Sequence, residues 1–480
     1  MLLSRANYYF SYNLLIVFLS SLVFKAFPLH GDERPNFVVI LCDDLGYGDI
    51  SCYGNKIIKT PNIDRLASQG IRFTDYYSPS PVCSPSRVGL LTGRTPNRAG
   101  IYDWIPSGTQ FHLEEKEFTI PKMLKRVGYA TCMSGKWHCN GKFNKKSQPQ
   151  PGDFGFDYWF ATQNNAAPSH RNPKNFVRNG EGVGELEGFS CRIVAEEANR
   201  WIENHVIENP DQPFFTFIAF HEPHEPISSP KSMISNYPNA QKKGEALYYA
   251  NVENMDFAVG MIMDCLNRNK VAENTLVIFT SDNGPETLNR YGGAWRSHGS
   301  PGILRGMKLH THEAGIRVPG VMRWPLQIKA GQVSDEPVNS LDLMPTFANL
   351  AAGEIPIDIQ LDGTDIVNAF GKDEVIRKRP MFWCYYSALN KSKVALRDGN
   401  WKLLASLKSK NDKYLKIKSL NKSNYDLVKT ARLVDFELYN ISNDNDESLN
   451  LVDKNHDEFK RLSEAMRMMF DEVLKDSKIW

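Results

Sequence analysis

The sequence predicts an α/β protein: a large mixed, mostly parallel sheet sandwiched by helices, followed by a smaller C-terminal antiparallel sheet plus helix. Two observations predict it. Short, continuous apolar runs rich in β-branched and aromatic residues recur between helical patterns, as strands buried on both faces require. Strands alternating with helices in turn imply a mostly parallel sheet covered on both sides. Beyond about residue 371 the pattern changes to short strands joined by Asn/Lys/Asp-rich turns, which reads as a separate antiparallel unit.

The main unit is expected to span residues 32–370. Its buried strands fall at 37–41, 129–133, 214–219 and 276–280. Asn62 can cap a helix over 63–69 that stops at Gly70, and a helix over 120–127 stops at Gly128. Tyr248, Val252, Met255, Val259, Ile262 and Leu266 recur every three or four residues, the single buried stripe of an amphipathic helix. In residues 371–480, strands are expected at 381–387, 392–397, 401–406 and 436–439, with a terminal helix over 458–474. The Lys/Ser/Asn-rich stretch 408–424 reads as a flexible surface loop.

At the other end, Arg5 precedes the apolar run 14–24, which gives way to a polar segment before Pro35. A basic start, a short apolar core and a change of composition resemble a secretory signal, taken as residues 1–31. The run is shorter than the roughly 20 residues a spanning helix needs, although an uncleaved anchor is the alternative. The mature protein is thus expected to be exported, periplasmic or secreted, with no stable membrane association. The chain has 57 Lys+Arg against 55 Asp+Glu in 480 residues, a net charge of +2. That balance argues against a nucleic-acid binder, whose footprint is a strongly basic face. Eight cysteines are too few for a disulfide scaffold, and none forms a C-x-x-C pair that would suggest structural zinc. Cys132 and Cys139 are either a bridge or two buried thiols.

Each of the four main strands runs into chemically capable residues: Asp43 and Asp44, Lys136 and His138, His221 and His224, Asp282 and Asn283. Ligands of open α/β sheets bind just beyond the carboxyl ends of the strands, so these clusters should converge on one site. Three carboxylates and an amide oxygen suit a hard cation, calcium or magnesium, rather than zinc or copper. Alternation in an extended segment would put Lys136 and His138 on one side, where a cation and an acid/base group suit transfer of an anionic group. Pro223 and Pro226 stiffen the segment that carries His221 and His224. Cys83-Ser-Pro-Ser-Arg87 opens a helix, with Pro85 tolerated in the first turn and Arg87 on the same face as Cys83. By itself that cysteine is a buried thiol or a nucleophile beside an arginine. Lys308 is ambiguous from its surroundings in sequence.

Cys83-x-Pro-x-Arg87, continued by Val88-Gly-Leu-Leu-Thr-Gly-Arg94, resembles the activation signature of the formylglycine-dependent (type I) sulfatases. The loops at Asp43–Asp49, Gly135–His138, Pro223–Pro226, Ser281–Gly284, Arg305–Lys308, Glu313–Pro319 and Glu437–Asp444 resemble that family's other motifs, in the family's order. Departures are Cys42, where a small or apolar residue is usual, and the doubled His-x-Pro. The resemblance implies an alkaline-phosphatase-like fold, with the catalytic domain at 32–370. It implies a sulfuric ester hydrolase in which a separate maturation enzyme oxidises Cys83 to formylglycine. Asp43, Asp44, Asp282, Asn283 and the Cys83-derived oxygen would hold Ca²⁺. Arg87, Lys136, His138 and Lys308 would serve the sulfate and its proton transfers, and His224 would protonate the leaving group. The whole chain looks most like bacterial polysaccharide sulfatases, which implies a sulfated carbohydrate substrate, such as a marine algal glycan. Trp104, His112, Asn164, Asn165, His170, Arg171, Trp295, Arg296, His298 and Trp383 are candidates to line its pocket. The alternatives are a generic arylsulfatase, a phosphodiesterase or phosphonate hydrolase of the same superfamily, and a catalytically dead glycan-binding protein. A Thr or Ser nucleophile would favour the phosphodiesterase, and the filled catalytic positions oppose the last reading.

Overall fold

The computed structural model describes residues 34–287, 290–371 and 373–480. The expected signal segment 1–31 lies outside them. Eleven strands form the main sheet: β1 (Asn36–Asp43), β2 (Ile71–Tyr77), β3 (Ala130–Lys136), β4 (Tyr158–Thr162), β5 (Val177–Arg178), β6 (Glu181–Gly182), β7 (Phe214–Pro223), β8 (Thr275–Ser281), β9 (Arg317–Arg323), β10 (Gln332–Ser334) and β11 (Val338–Asn339). Their order is β10-β2-β9-β8-β1-β7-β3-β4-β5-β6, with β11 paired to β2. From β8 through β4 every pairing is parallel, whereas β9 runs antiparallel to both β8 and β2.

Alternation within β1 shows why its apolar run is unbroken. Phe37, Val39 and Leu41 enter the core on one face, and Val38, Ile40 and Cys42 the core on the other. The helices are α1 (Pro61–Ser68), α2 (Cys83–Thr92), α3 (Ile120–Arg126), α4 (Ser190–Glu208), α5 (Lys231–Ile234), α6 (Glu245–Arg268), α7 (Glu313–Ile316), α8 (Leu343–Ala351), α9 (Tyr425–Lys429) and α10 (His456–Asp476). Helices α2, α3 and α8 cover the first face, and α1, α4 and α6 the second. The expected stripe of α6 is buried throughout. One expected cap differs: α1 starts at Pro61, after Thr60, and the Asn62 amide instead donates to Asp256 Oδ2 at 2.9 Å. Proline supplies a first helical residue that needs no hydrogen-bond acceptor for its nitrogen.

Four antiparallel strands, β12 (Met381–Cys384), β13 (Val394–Asp398), β14 (Trp401–Lys408) and β15 (Arg432–Asn440), make the second sheet. One face packs on α10 through Leu396, Leu403, Leu462, Met466 and Phe470. The other meets Tyr77 and Ile316 of the main sheet's surroundings through Trp383, Ala395 and Leu404. The stretch 408–424 is more anchored than its composition suggests, because Leu415 and Leu420 are buried in the α10 core. All eight cysteines are free thiols, Cys132 and Cys139 included.

A buried ionic seam joins the two sheets. Glu313 accepts from Tyr77 Oη at 2.6 Å, Arg317 Nη1 at 3.2 Å and Lys402 Nζ at 2.8 Å. Lys402 also stands 2.9 Å from Glu447, and Arg397 pairs with Asp75 at 2.6 Å. Removing one partner of such a network strands a charge in low dielectric, a loss of about 3–5 kcal/mol. Lys402→Met should therefore lower the unfolding free energy read from a denaturant titration by that much. Arg461→Met, in an exposed pair with Asp398, should change it far less.

Candidate active site

In the sheet β8, β1, β7 and β3 lie side by side, so their carboxyl ends form one continuous edge. Cys42 is in register with Ser281, Asp43 with Pro223, and Gly135 with Ala219. The four polar clusters expected at the strand ends thus sit next to one another. Gly135 has φ +112°, and a Cβ there would lie 1.9 Å from the Ala219 carbonyl oxygen. Only glycine lets β3 approach β7 this closely in that conformation, and the bend delivers Lys136 across β7 to Asp43.

Three carboxylates and three cations interlock, all nearly or wholly buried. Lys136 Nζ stands 2.5 Å from Asp43 Oδ2, and Lys308 Nζ 2.7 Å from both Asp44 oxygens. Arg87 Nε donates to Asp282 Oδ2 at 2.8 Å and its Nη1 to the Lys136 carbonyl at 2.7 Å. Although burial opposes it, Lys136 above all holds the Asp43 carboxyl well below its usual range. Burial and the Asp43 charge push Asp282 upward. Asn283 Nδ2 donates to Asp44 Oδ1 at 2.8 Å. Asp43 Oδ1 and Asn283 Oδ1 are buried with no hydrogen-bond partner. Orphaned buried oxygens call for an explanation, and crowded carboxylates with free oxygens fit a hard cation.

Helix α2 begins at Cys83 and is buried along its whole length. Arg87, one turn on, pins that helix to the β8 and β3 ends through the bonds above. Cys83 packs with Val82, Leu309, Tyr385 and Ala388. Burial pushes its thiol up to about 11, against the pull of Lys136 and Lys308. An unmodified Cys83 is therefore protonated near neutral pH and a poor nucleophile. Tyr385 and Ala388, from the C-terminal part, escaped the sequence reading because they lie in no motif and only the docking of the second sheet brings them here.

The histidines separate by environment. His221 is buried and bonded through Nε2 to Thr162 Oγ1 at 2.8 Å. His224 keeps 14% of its side chain exposed and places Nε2 3.6 Å from Asp44 Oδ2. Ligand atoms of Asp43, Asp44 and His224 all lie within 4.8 Å of one another. Burial lowers all three imidazoles, His138, His221 and His224, the last to about 4. His138 has φ +54°, so strand alternation does not put it beside Lys136; its Nε2 meets the Ile105 carbonyl at 3.1 Å. Glu222 holds this region in place by accepting from Cys191 N at 3.0 Å at the start of α4 and from His221 N at 3.1 Å.

Two residues offered as pocket lining are core residues instead. His170 is fully buried, 3.2 Å from Asn251 Nδ2, and Trp383 is buried in the inter-sheet seam, donating to the Ser78 carbonyl at 2.8 Å. Each is enclosed by its own packing, which composition does not reveal. Trp104 and Trp295 do expose their rings, and Arg296 is tied to Glu225. Tyr291, unsuspected from sequence, has a buried hydroxyl without a hydrogen-bond partner.

Lysines, an arginine and carboxylates at the strand ends of such a sheet can hold one kind of ligand, a compact anion, with a cation to balance it. Fold and site together define the class, an α/β protein with an anion-binding site at the carboxyl ends of its strands. Within that class the chain belongs to the sulfatase family, whose model matches residues 35–354, and it is a sulfuric ester hydrolase. A second model, described as N-sulphoglucosamine sulphohydrolase, C-terminal, matches residues 307–422. Human arylsulfatase A is 35% identical, over 77% of this chain and 74% of its own. The N-acetylgalactosamine-6-sulfatase of Sus scrofa is 33% identical, over 73% and 68%. The crystal structure of Ps i-CgsB in complex with k-i-k-neocarrahexaose superposes with a TM-score of 0.76 at 28% identity, covering 93% of this chain and 94% of that one.

The close approach at Gly135 is directly testable. Gly135→Ala must either move β3 off β7 or break the turn that aims Lys136. It should lower the melting temperature and abolish sulfatase activity together, whereas Gly182→Ala, where the backbone is not left-handed and an added Cβ meets nothing within 4 Å, should leave both in place.

Proposed function

We propose that this sulfatase hydrolyses the sulfate esters of a sulfated carbohydrate, using a formylglycine made from Cys83 and a bound calcium ion. The observation that carries this reading is the charge arrangement around buried Cys83. Three carboxylates are matched there by Arg87, Lys136 and Lys308, so the protein groups are neutral in sum. Such a site can take up a divalent cation with the anionic ester and hold the sulfate dianion released from it without burying net charge, which would otherwise be prohibitive. Asp43, Asp44, Asp282 and Asn283, with the oxygen at residue 83, would hold the ion, whose fixed charge polarises sulfate. Formylglycine would supply a hydrated aldehyde, one hydroxyl attacking sulfur and the other expelling sulfate as the aldehyde re-forms.

The chain's own groups do the rest. Arg87 stays on Asp282 and the Lys136 carbonyl, fixing the start of α2 against the strand ends. Lys136 and Lys308 exchange a carboxylate partner for sulfate oxygens, cations preorganised for the charge of the transferring group. His224, partly exposed above Asp44, donates a proton to the leaving sugar oxygen. An anionic ester beside the imidazole favours the protonated form it needs. His138 stands by for proton transfers at the other side of Lys136. A carbohydrate substrate is supported by the relatives: one is an N-acetylgalactosamine-6-sulfatase, and one was solved in complex with k-i-k-neocarrahexaose. A separate maturation enzyme would be the partner that oxidises Cys83, and residues 1–31 would guide export. No helix among the described residues is long and apolar enough to cross a membrane.

Co-expressed with a maturation enzyme, the peptide containing residue 83 should show the aldehyde by mass spectrometry, and elemental analysis should find calcium. Cys83→Ala should be folded and inactive; full activity in that variant, or stoichiometric zinc in place of calcium, contradicts the mechanism.

The histidine assignment has its own test. His224→Ala should cut turnover of a carbohydrate sulfate by roughly 10²–10⁴-fold and cost much less on 4-nitrophenyl sulfate, whose leaving group departs without a proton. His221→Ala should show no such dependence on the ester. Equal losses on both esters for His224→Ala would refute it.

A further inference from the structure

We infer that the cleft wall built by Asp103, Trp104 and Lys418 is a subsite for a sugar unit next to the one that carries the scissile sulfate. The inference rests on the carbohydrate reading above. Trp104 sits on a loop fixed to the reaction centre from both sides. Ile105 N donates to Ser84 Oγ at 3.0 Å, one residue from Cys83, and the Ile105 carbonyl meets His138 Nε2 at 3.1 Å and Gln163 Nε2 at 3.2 Å. Asp103 accepts from Tyr385 Oη at 2.9 Å, and Tyr385 packs against Cys83. A loop held this firmly nonetheless leaves Trp104 46% exposed. A rigid, exposed indole costs little further ordering when it binds, and its flat apolar face with a polar edge suits the apolar face and hydroxyl rim of a pyranose.

Beside the indole opens a cavity of about 90 Å³, lined by residues 100–106, Phe111, Lys418 and Ser419. That is several times the roughly 30 Å³ share of one water and well below the roughly 300 Å³ at which whole-ligand pockets begin. It therefore takes a ring face or a ring substituent, with the remainder of the sugar over Trp104. Its floor is solid: Trp480 Nε1 donates to the Gly100 carbonyl at 2.7 Å, and its ring meets Phe111 edge-on at 5.2 Å. Its outer wall comes from the stretch 408–424, anchored where Ser387 Oγ donates to the Ile417 carbonyl at 2.8 Å. Lys418 there is exposed and offers an ammonium to a second sulfate on the same chain, while the Asp103 carboxylate, whose Oδ1 accepts from Tyr385 Oη and Trp104 N, steadies the same wall. A sulfated oligosaccharide offers a ring face to Trp104 and a second sulfate to Lys418; a single aryl sulfate brings only the one sulfate that the reaction centre holds.

Matured enzyme and its Trp104→Ala and Lys418→Ala variants would be assayed on 4-nitrophenyl sulfate and on hexasaccharides of carrageenan, fucoidan and a glycosaminoglycan. In parallel, the inactive Cys83→Ala protein, with and without Trp104→Ala, would be titrated calorimetrically with the same hexasaccharides. Loss of one central aromatic contact should reduce kcat/KM on the accepted hexasaccharide roughly 10–100-fold, mostly through KM. That loss should exceed the loss on 4-nitrophenyl sulfate at least tenfold, and Trp104→Ala should weaken calorimetric binding in the same proportion. Lys418→Ala should show a smaller loss that fades as salt is raised. The melting temperature should not move, since both side chains are exposed. Hexasaccharide turnover indifferent to Trp104→Ala, or falling equally on both substrates, overturns the subsite alone. Hydrolysis of 4-nitrophenyl sulfate with no hexasaccharide bound or hydrolysed overturns the carbohydrate reading and the subsite with it.

Discussion

The buried ion pair between Arg87 and Asp282 is the constraint on which the site depends. Both side chains are entirely out of solvent, 2.8 Å apart. Neither charge could be tolerated there without the other. The pair joins the first turns of α2, which carry Cys83, to the carboxyl end of β8, while the same guanidinium holds the β3 end through the Lys136 carbonyl. One side chain thus fixes the position of residue 83 relative to two of the four strand ends. Asp43 with Lys136 and Asp44 with Lys308 then complete a set of charges that compensate one another inside the protein. Such an arrangement is preorganised, since the fold has already gathered its charges at one place.

The second sheet is more than an appendage to this site. Its inner face packs on Tyr77 and Ile316, its ionic seam centres on Glu313 and Lys402, and its β12–β13 connection carries Tyr385 and Ala388 up to Cys83. Tyr385 in turn holds Asp103. The loop that displays Trp104 is therefore positioned jointly by the catalytic helix and the C-terminal sheet. Catalytic chemistry comes from the strand ends of the main sheet, whereas the wall that a long substrate would meet is shared by both sheets. This division lets the wall vary in shape while the reaction centre keeps its geometry.

By itself the sequence determined what is local. Apolar runs of strand length marked β1, β3, β7 and β8, and the stripe of α6 marked its buried face, because side-chain periodicity is set by backbone geometry over a few residues. Residues following each strand could be assigned to a common edge, because parallel strands all point the same way. The motif at Cys83 was legible because its chemistry is packed into one helical turn. What only the tertiary structure decided is who meets whom. Lys136 lies 93 residues from Asp43, Arg87 195 from Asp282, and Lys308 264 from Asp44; no pattern in the chain encodes those pairings. The motif resemblance points to His224, but only packing shows His221 enclosed against Thr162 and His224 partly exposed beside Asp44, three residues apart in one stiffened segment. The left-handed backbone at His138, the burial of His170 and Trp383, and the arrival of Tyr385 beside Cys83 have the same origin. Each is settled by packing between segments distant in sequence, where the cost of burying a group depends on neighbours that local composition cannot name.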